Sequence, residues 1–444
     1  MFLKGNTTSD LLFQKKALFL SLLAVSLMLS ACTLFESTGS EREPLPRVQG
    51  IENLFNVPGQ IVTDNQIRSI QFYRGSNSAN APIIELNSSQ RLNLLFEVLQ
   101  FESRQFRVHV SHHNPDWSRS SIGRESYIDG LFSVYMDAGR VSSVRQPQYR
   151  QYSFEFPNDD LRILKSGNYM LSVEDADTGY LIMALPFFVT ENQGSISSSV
   201  EQLITPRQNL RSSHRAVSRY RLPDFVDQPQ FDLEFYYIQN RFWGRAKEAS
   251  EVDFSSPNEV NYEMDRNSPF IGDYEFLELD LSDITQRNPQ VLEFMPAENP
   301  PKVILFDDVS GFSASGRLTG AGNFGRPDMS LNAQYANAQF TFDAAMNPDE
   351  DIEIYLTGDF NYWAIQSANR LTYNDETDRW STSTILKEGM YRYKYVVMDD
   401  GRVDDLFFDD LFTNTRQEYH TFVYMRDSRE FYYRLLQFNH FFSN

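Results

Sequence analysis

Beyond its first sixty residues the chain alternates apolar and polar positions with a period of two. Leu92, Leu94 and Phe96 alternate, as do Phe106, Val108 and Val110, then Tyr152, Phe154 and Phe156, then Tyr169, Leu171 and Val173. Such a period turns one face of a strand to a core and the other to water, the pattern of an antiparallel sandwich. It resumes at Phe231, Leu233, Phe235 and Tyr237, at Leu277, Leu279 and Leu281, at Ile352, Ile354 and Leu356, and at Tyr391, Tyr393, Tyr395 and Val397. Turn residues at 75–82, Pro300-Pro301 and the glycine-rich Gly311 to Gly325 punctuate it. The pattern predicts an all-β protein of consecutive antiparallel β-sandwich domains, immunoglobulin/fibronectin-like at first and early-set at the end. The predicted divisions are a first sandwich over 61–191, a Ser/Gln-rich linker over 192–211, a central β domain over 212–345 and an early-set sandwich over 346–444. The aromatic tail from Phe431 to Phe442 is expected to cover a domain face.

The first 31 residues break this pattern. Lys15 and Lys16 precede an apolar run from Ala17 to Leu29 that is short for a permanent span. Leu29-Ser30-Ala31-Cys32 follows and resembles the lipobox of bacterial lipoprotein precursors. The resemblance implies cleavage between Ala31 and Cys32, lipidation of Cys32 and anchoring at a membrane. Residues 32–60 are polar and read as a flexible tether.

Composition narrows the function classes. The formal charge is −20, with 60 acidic and 40 basic residues, so nucleic acid is a poor partner. Cys32 is the only cysteine, which excludes an internal disulfide and a cysteine zinc site. No nucleophile elbow, phosphate-binding glycine loop or His-Glu-x-x-His motif occurs. No enzyme activity, cofactor or metal is therefore expected. His112-His113 with Asp116, and the acidic pairs Asp399-Asp400, Asp404-Asp405 and Asp409-Asp410, read as solvated loops, since neighbouring strand residues face opposite ways and the acidic spacing fits no calcium loop.

One motif is specific. Gly358-Asp359-Phe360-Asn361-Tyr362-Trp363, followed by Gly389-Met390-Tyr391-Arg392-Tyr393-Lys394-Tyr395, resembles the early-set sandwich of glycogen-binding modules. Trp363 and Lys394 match the family's first tryptophan and its lysine, whereas Val403 stands where the second tryptophan is expected. A single ring makes a poor sugar platform, so a structural turn is the favoured role and glycan binding the alternative.

Four stretches in order resemble the plug protein family of the type IX secretion system: Ile67–Tyr73 with Pro82–Asn87; Asp116-Trp117 with Tyr127–Gly130, Tyr152–Pro157 and Ser166–Tyr169; Phe270–Ile284; and Gly358–Trp363 with Gly389–Val397. His112-His113-Asn114 departs from the family's usual run before Asp116-Trp117. The resemblance implies a non-catalytic stopper of the periplasmic mouth of a large outer-membrane translocon barrel, held by its lipid at the outer membrane and facing the periplasm, a task that a rigid rod of sandwiches would suit.

Overall fold

The structure, a computed structural model, describes residues 55–144, 146–203, 212–310, 318–319, 325–345, 352–409 and 416–443. Its regular elements are nearly all strands, paired mostly antiparallel into several sheets that form sandwich-like modules. Ala31, Cys32 and most of the glycine-rich run at 311–325 lie outside the described residues.

The N-terminal module faces two sheets. One orders Ile61–Val62, Leu181–Thr190, Gly167–Asp175, Phe106–His113 and Val134–Tyr135, and the other Ile67–Arg74, Leu92–Val98, Arg150–Phe156 and Arg140–Val141. The alternating residues meet between them: Phe96 stacks on Tyr152 at 5.4 Å, and Phe156 meets Phe187 edge-on at 5.3 Å. Offset and edge-on pairs add to the burial of apolar area.

The central module is discontinuous. One sheet orders Ser195–Leu203, Ser213–Arg221, Glu259–Glu263 and Glu251–Asp253; the other orders Lys247–Glu248, Leu233–Gln239, Glu418–Asp427 and Tyr432–Phe442. Between these halves the chain builds the C-terminal module. There Phe276–Asp280 pairs with Gly389–Asp399, which also pairs Glu353–Gly358, and Tyr335–Asp343 pairs with Arg379–Lys387.

Two expectations change accordingly, and the aromatic tail covers a domain face as expected. The expected linker holds the strand Ser195–Leu203, whose Ser195, Ser197 and Ser199 face solvent at the margin of a sheet while Ile196 and Val200 pack inward. Sheet pairing runs across the 345/346 division, joining strands on either side of it. The aromatic tail is the strand Tyr432–Phe442, which covers the central core with the fully buried Leu436 and turns the fully buried Leu435 toward the N-terminal module. A period of two locates strands but carries no information about their partners.

Each module touches the other two, unlike sandwiches strung end to end in a rod. Phe188, Trp117 and Met170 of the N-terminal module pack on Ile238, Trp243, Phe422 and Leu435 of the central one, with Phe188 stacked on Phe422 at 4.8 Å. Phe242 and Tyr274 pack on Phe276, Tyr355 and Trp363 of the C-terminal module, with Phe55 wedged between. The third joint is polar. Lys387 Nζ lies 2.7 Å from Glu97 Oε1, both side chains fully buried, while Tyr335 Oη donates to Glu97 Oε2 at 2.6 Å and Gln151 Nε2 to Oε1 at 2.9 Å. Burial pushes the Glu97 carboxyl up and the Lys387 amine down, and their mutual contact opposes both shifts. A pair removed from water tolerates loss of both charges better than loss of one. Lys387→Met is therefore expected to cost about 3–5 kcal/mol in a urea midpoint measurement, and adding Glu97→Gln to recover most of that loss.

Candidate functional site where the sandwiches meet

The Gly358–Trp363 motif forms a locked turn at the meeting of all three modules. Glu353–Gly358 ends at Gly358, where an added Cβ would stand 2.5 Å from the Arg392 carbonyl oxygen, so lack of space demands glycine. Asn361 Oδ1 accepts the Gly358 N–H at 2.9 Å. Asp359 receives the Gly325 N–H at 2.7 Å, the Arg392 N–H at 2.9 Å and the Arg392 guanidinium at 3.0 Å. These bonds hold Tyr362 and Trp363 at φ of 56° and 57°, a left-handed conformation that costs roughly 1–2 kcal/mol per non-glycine residue.

From that turn two rings reach out. Tyr362 Oη donates to the Ile70 carbonyl of the N-terminal module at 2.9 Å. Trp363, 8% exposed, donates its Nε1–H to Asp359 at 3.1 Å and lies 5.7, 5.3 and 5.2 Å from the rings of Phe55, Phe242 and Phe276, all tilted or edge-on. Lys394 is buried as well. Its Nζ stands 2.5 and 2.7 Å from the Asp409 carboxylate and 4.0 Å from the centre of the Tyr274 ring. A sugar platform needs open, coplanar ring faces, and neither residue offers one. Both serve the joint.

Two groups that read as solvated loops are in part built in: Asp399, Asp400 and Asp404 stay exposed, Asp410 lies outside the described residues, and Asp405, Asp409, His112 and His113 are held. Asp405 accepts from Arg245 at 2.6 Å and from the Tyr274 hydroxyl; burial pushes its carboxyl up, yet Arg245 and Lys394 hold it below the ordinary carboxylate range. With Asp409 it ties the acidic segment across the joint, because an unpaired carboxylate could not be buried there. His112 and His113 end the strand Phe106–His113 on opposite faces. The buried His112 bonds the Ser166 carbonyl through Nε2 at 3.0 Å, and burial pushes its ring down to about 4. The half-buried His113 bonds the Trp117 carbonyl through Nδ1 at 2.8 Å.

Sequence reasoning missed one cluster. The register sets His420 directly opposite His440 on the last two strands, with the rings stacked at 4.7 Å. His440 Nε2 lies 2.7 Å from Glu418 Oε1, and Arg241 clasps the same carboxylate at 2.9–3.1 Å. Burial pushes Glu418 up, but the His440 hydrogen bond and Arg241 hold it down at about 2. Reading the last two alternating runs as one hairpin around Asp427–Tyr432 would have paired these histidines.

With this geometry in hand, likeness to known proteins can be placed. No protein of curated function matches the chain. A hypothetical protein from Parabacteroides merdae ATCC 43184 shares the fold, with a TM-score of 0.77 at 23% identity over 87% of this chain and 100% of that one. Trypsin-activated alpha-2-macroglobulin from Escherichia coli aligns at 10% identity with a TM-score of 0.21, covering 90% of this chain and 25% of that one. Residues 67–191, which span nearly all of the N-terminal sandwich, match the family described as Type 9 secretion system plug protein 1st domain.

Proposed function

We propose that the chain is a non-catalytic stopper that closes the periplasmic mouth of the type IX secretion channel, a large outer-membrane barrel, and is held there by lipid on Cys32. The observation that carries this reading is the plug-protein match over residues 67–191. The joints support it mechanically. A stopper must resist deformation, and close-packed aromatic joints with a buried ion pair leave little room for the modules to slide. Glycan binding loses its support with Trp363 and Lys394 buried.

An exposed apolar patch on the matched domain supplies a contact surface for the barrel. Phe132 is 72% exposed, and Leu131 and Tyr135 beside it in the chain are also exposed. Arg124 lies over the Phe132 ring at 5.2 Å, and Phe431 at the tip of the last hairpin reaches the same segment through Ser121. Exposed aromatics with a neighbouring arginine are the residue types that carry most binding energy at protein interfaces.

Full-length tagged protein is expected to retain the translocon barrel on affinity purification, and Phe132→Asp with Leu131→Asp to reduce its recovery at least tenfold while leaving the thermal transition in place. Undiminished recovery would place the interface elsewhere, and no barrel in any pull-down would remove the stopper reading. For the anchor, Cys32→Ser should move the protein from the membrane to the soluble fraction and let large antibiotics enter. Unchanged fractionation argues against lipidation, and unchanged permeability argues that the tether is dispensable for closure.

A further inference from the structure

A cavity of about 310 Å³ opens where the N-terminal module meets the central one, lined by Arg74, Asn80, Arg241, His420, Asn439 and His440 among others. Each titratable residue in this lining is a base, in a chain with 60 acidic and 40 basic residues. The nearest carboxylate, Glu418, stands behind the wall and is already matched by Arg241. That leaves Arg74 without an ion pair among the described residues; its guanidinium bonds only the Ile83 carbonyl, at 3.1 Å. His420 is 1% exposed and makes no hydrogen bond there: Nδ1 has no partner, and Nε2 stops 4.0 Å from Glu418. A buried imidazole without partners is costly unless something else meets it.

Two ligand chemistries suit such a wall. Glu418, His420 and His440 place ligand atoms within 4.8 Å of one another, as a His-His-Glu cation site does. However, Glu418 spends its charge on Arg241, and a dication would meet that guanidinium and Arg74 with no second carboxylate to offset them. An oxyanion meets the opposite balance: the free edge of a guanidinium fork, two amide side chains and an imidazole that can donate.

We propose that this cavity binds a small oxyanion, a phosphate, a sulfate or a carboxylate group, between Arg74 and the His420/His440 pair. Because its walls come from two modules, the bound anion bridges the joint and stiffens the body. Residues 74–83 belong to the first sandwich and residues 420–440 to the hairpin that closes the second, so occupancy couples the joint to ligand concentration.

The test is thermal unfolding of the full chain with sulfate, phosphate, acetate or chloride at matched ionic strength. Sulfate or phosphate at ten times its dissociation constant is expected to raise Tm by about 2 °C over chloride, and acetate acting in their place would identify a carboxylate as the preferred source. Arg74→Gln should abolish the rise and Arg74→Lys should keep part of it; Arg74 is half-buried and bonds one carbonyl, so both variants fold. Equal stabilisation by chloride, an undiminished rise in Arg74→Gln, or stabilisation by Zn²⁺ and none of the oxyanions would overturn the proposal.

Discussion

The strand Leu233–Gln239 pairs on one side with the two-residue strand Lys247–Glu248 and on the other with Glu418–Asp427 from the far end of the chain. Everything else about the architecture follows from that pairing. A strand left open there would expose its backbone donors and acceptors and the buried faces of Phe235 and Tyr237. The central sandwich therefore closes only with the strand that returns from beyond the C-terminal module. Insertion makes the two modules interdependent, and the aromatic joint around Trp363 and Phe242 seals the place where the chain leaves and comes back. Contacts this distant in sequence also make slow folding the expectation.

Chemistry at the joints is divided by type. Two are aromatic, built from Phe188 on Phe422 and from Trp363 among Phe55, Phe242 and Phe276. The third relies on charge, with Lys387 and Glu97 removed from water and the remaining valences of Glu97 met by Tyr335 and Gln151. Buried pairs of this kind contribute little net stability but penalise misalignment heavily. The aromatic joints supply adhesion, and the ion pair admits one register between the first and third modules. Packing of this kind leaves the modules little room to slide.

The sequence made the strands of the fold legible and left their partners hidden. Leu92, Leu94 and Phe96 or Tyr391, Tyr393 and Tyr395 announce strands by alternation, and both runs are buried as that pattern requires. Ser195–Leu203 was obscure because a strand at a sheet margin with serines on its wet face has the composition of a linker. The last hairpin was obscure because nothing local distinguishes a strand that closes its own domain from one that returns to an earlier one. Among site residues, the Gly358–Trp363 turn was readable as a turn, since Asn361 bonds within a few positions of it, whereas the bonds of Asp359 to Gly325 and Arg392 were not. Its role as a meeting point was not, because Ile70, Phe55 and Phe242 come from distant parts of the chain. The His420–His440 pair depends wholly on register.

The central claim, that this chain closes a secretion channel, is tested most directly by outer-membrane permeability in cells lacking it. Uptake of a large antibiotic such as vancomycin should rise when the chain alone is deleted and return to the parental level when the translocon barrel is deleted too, because the leak needs the open barrel. Permeability unchanged by the first deletion, or a leak that persists without the barrel, would contradict the account.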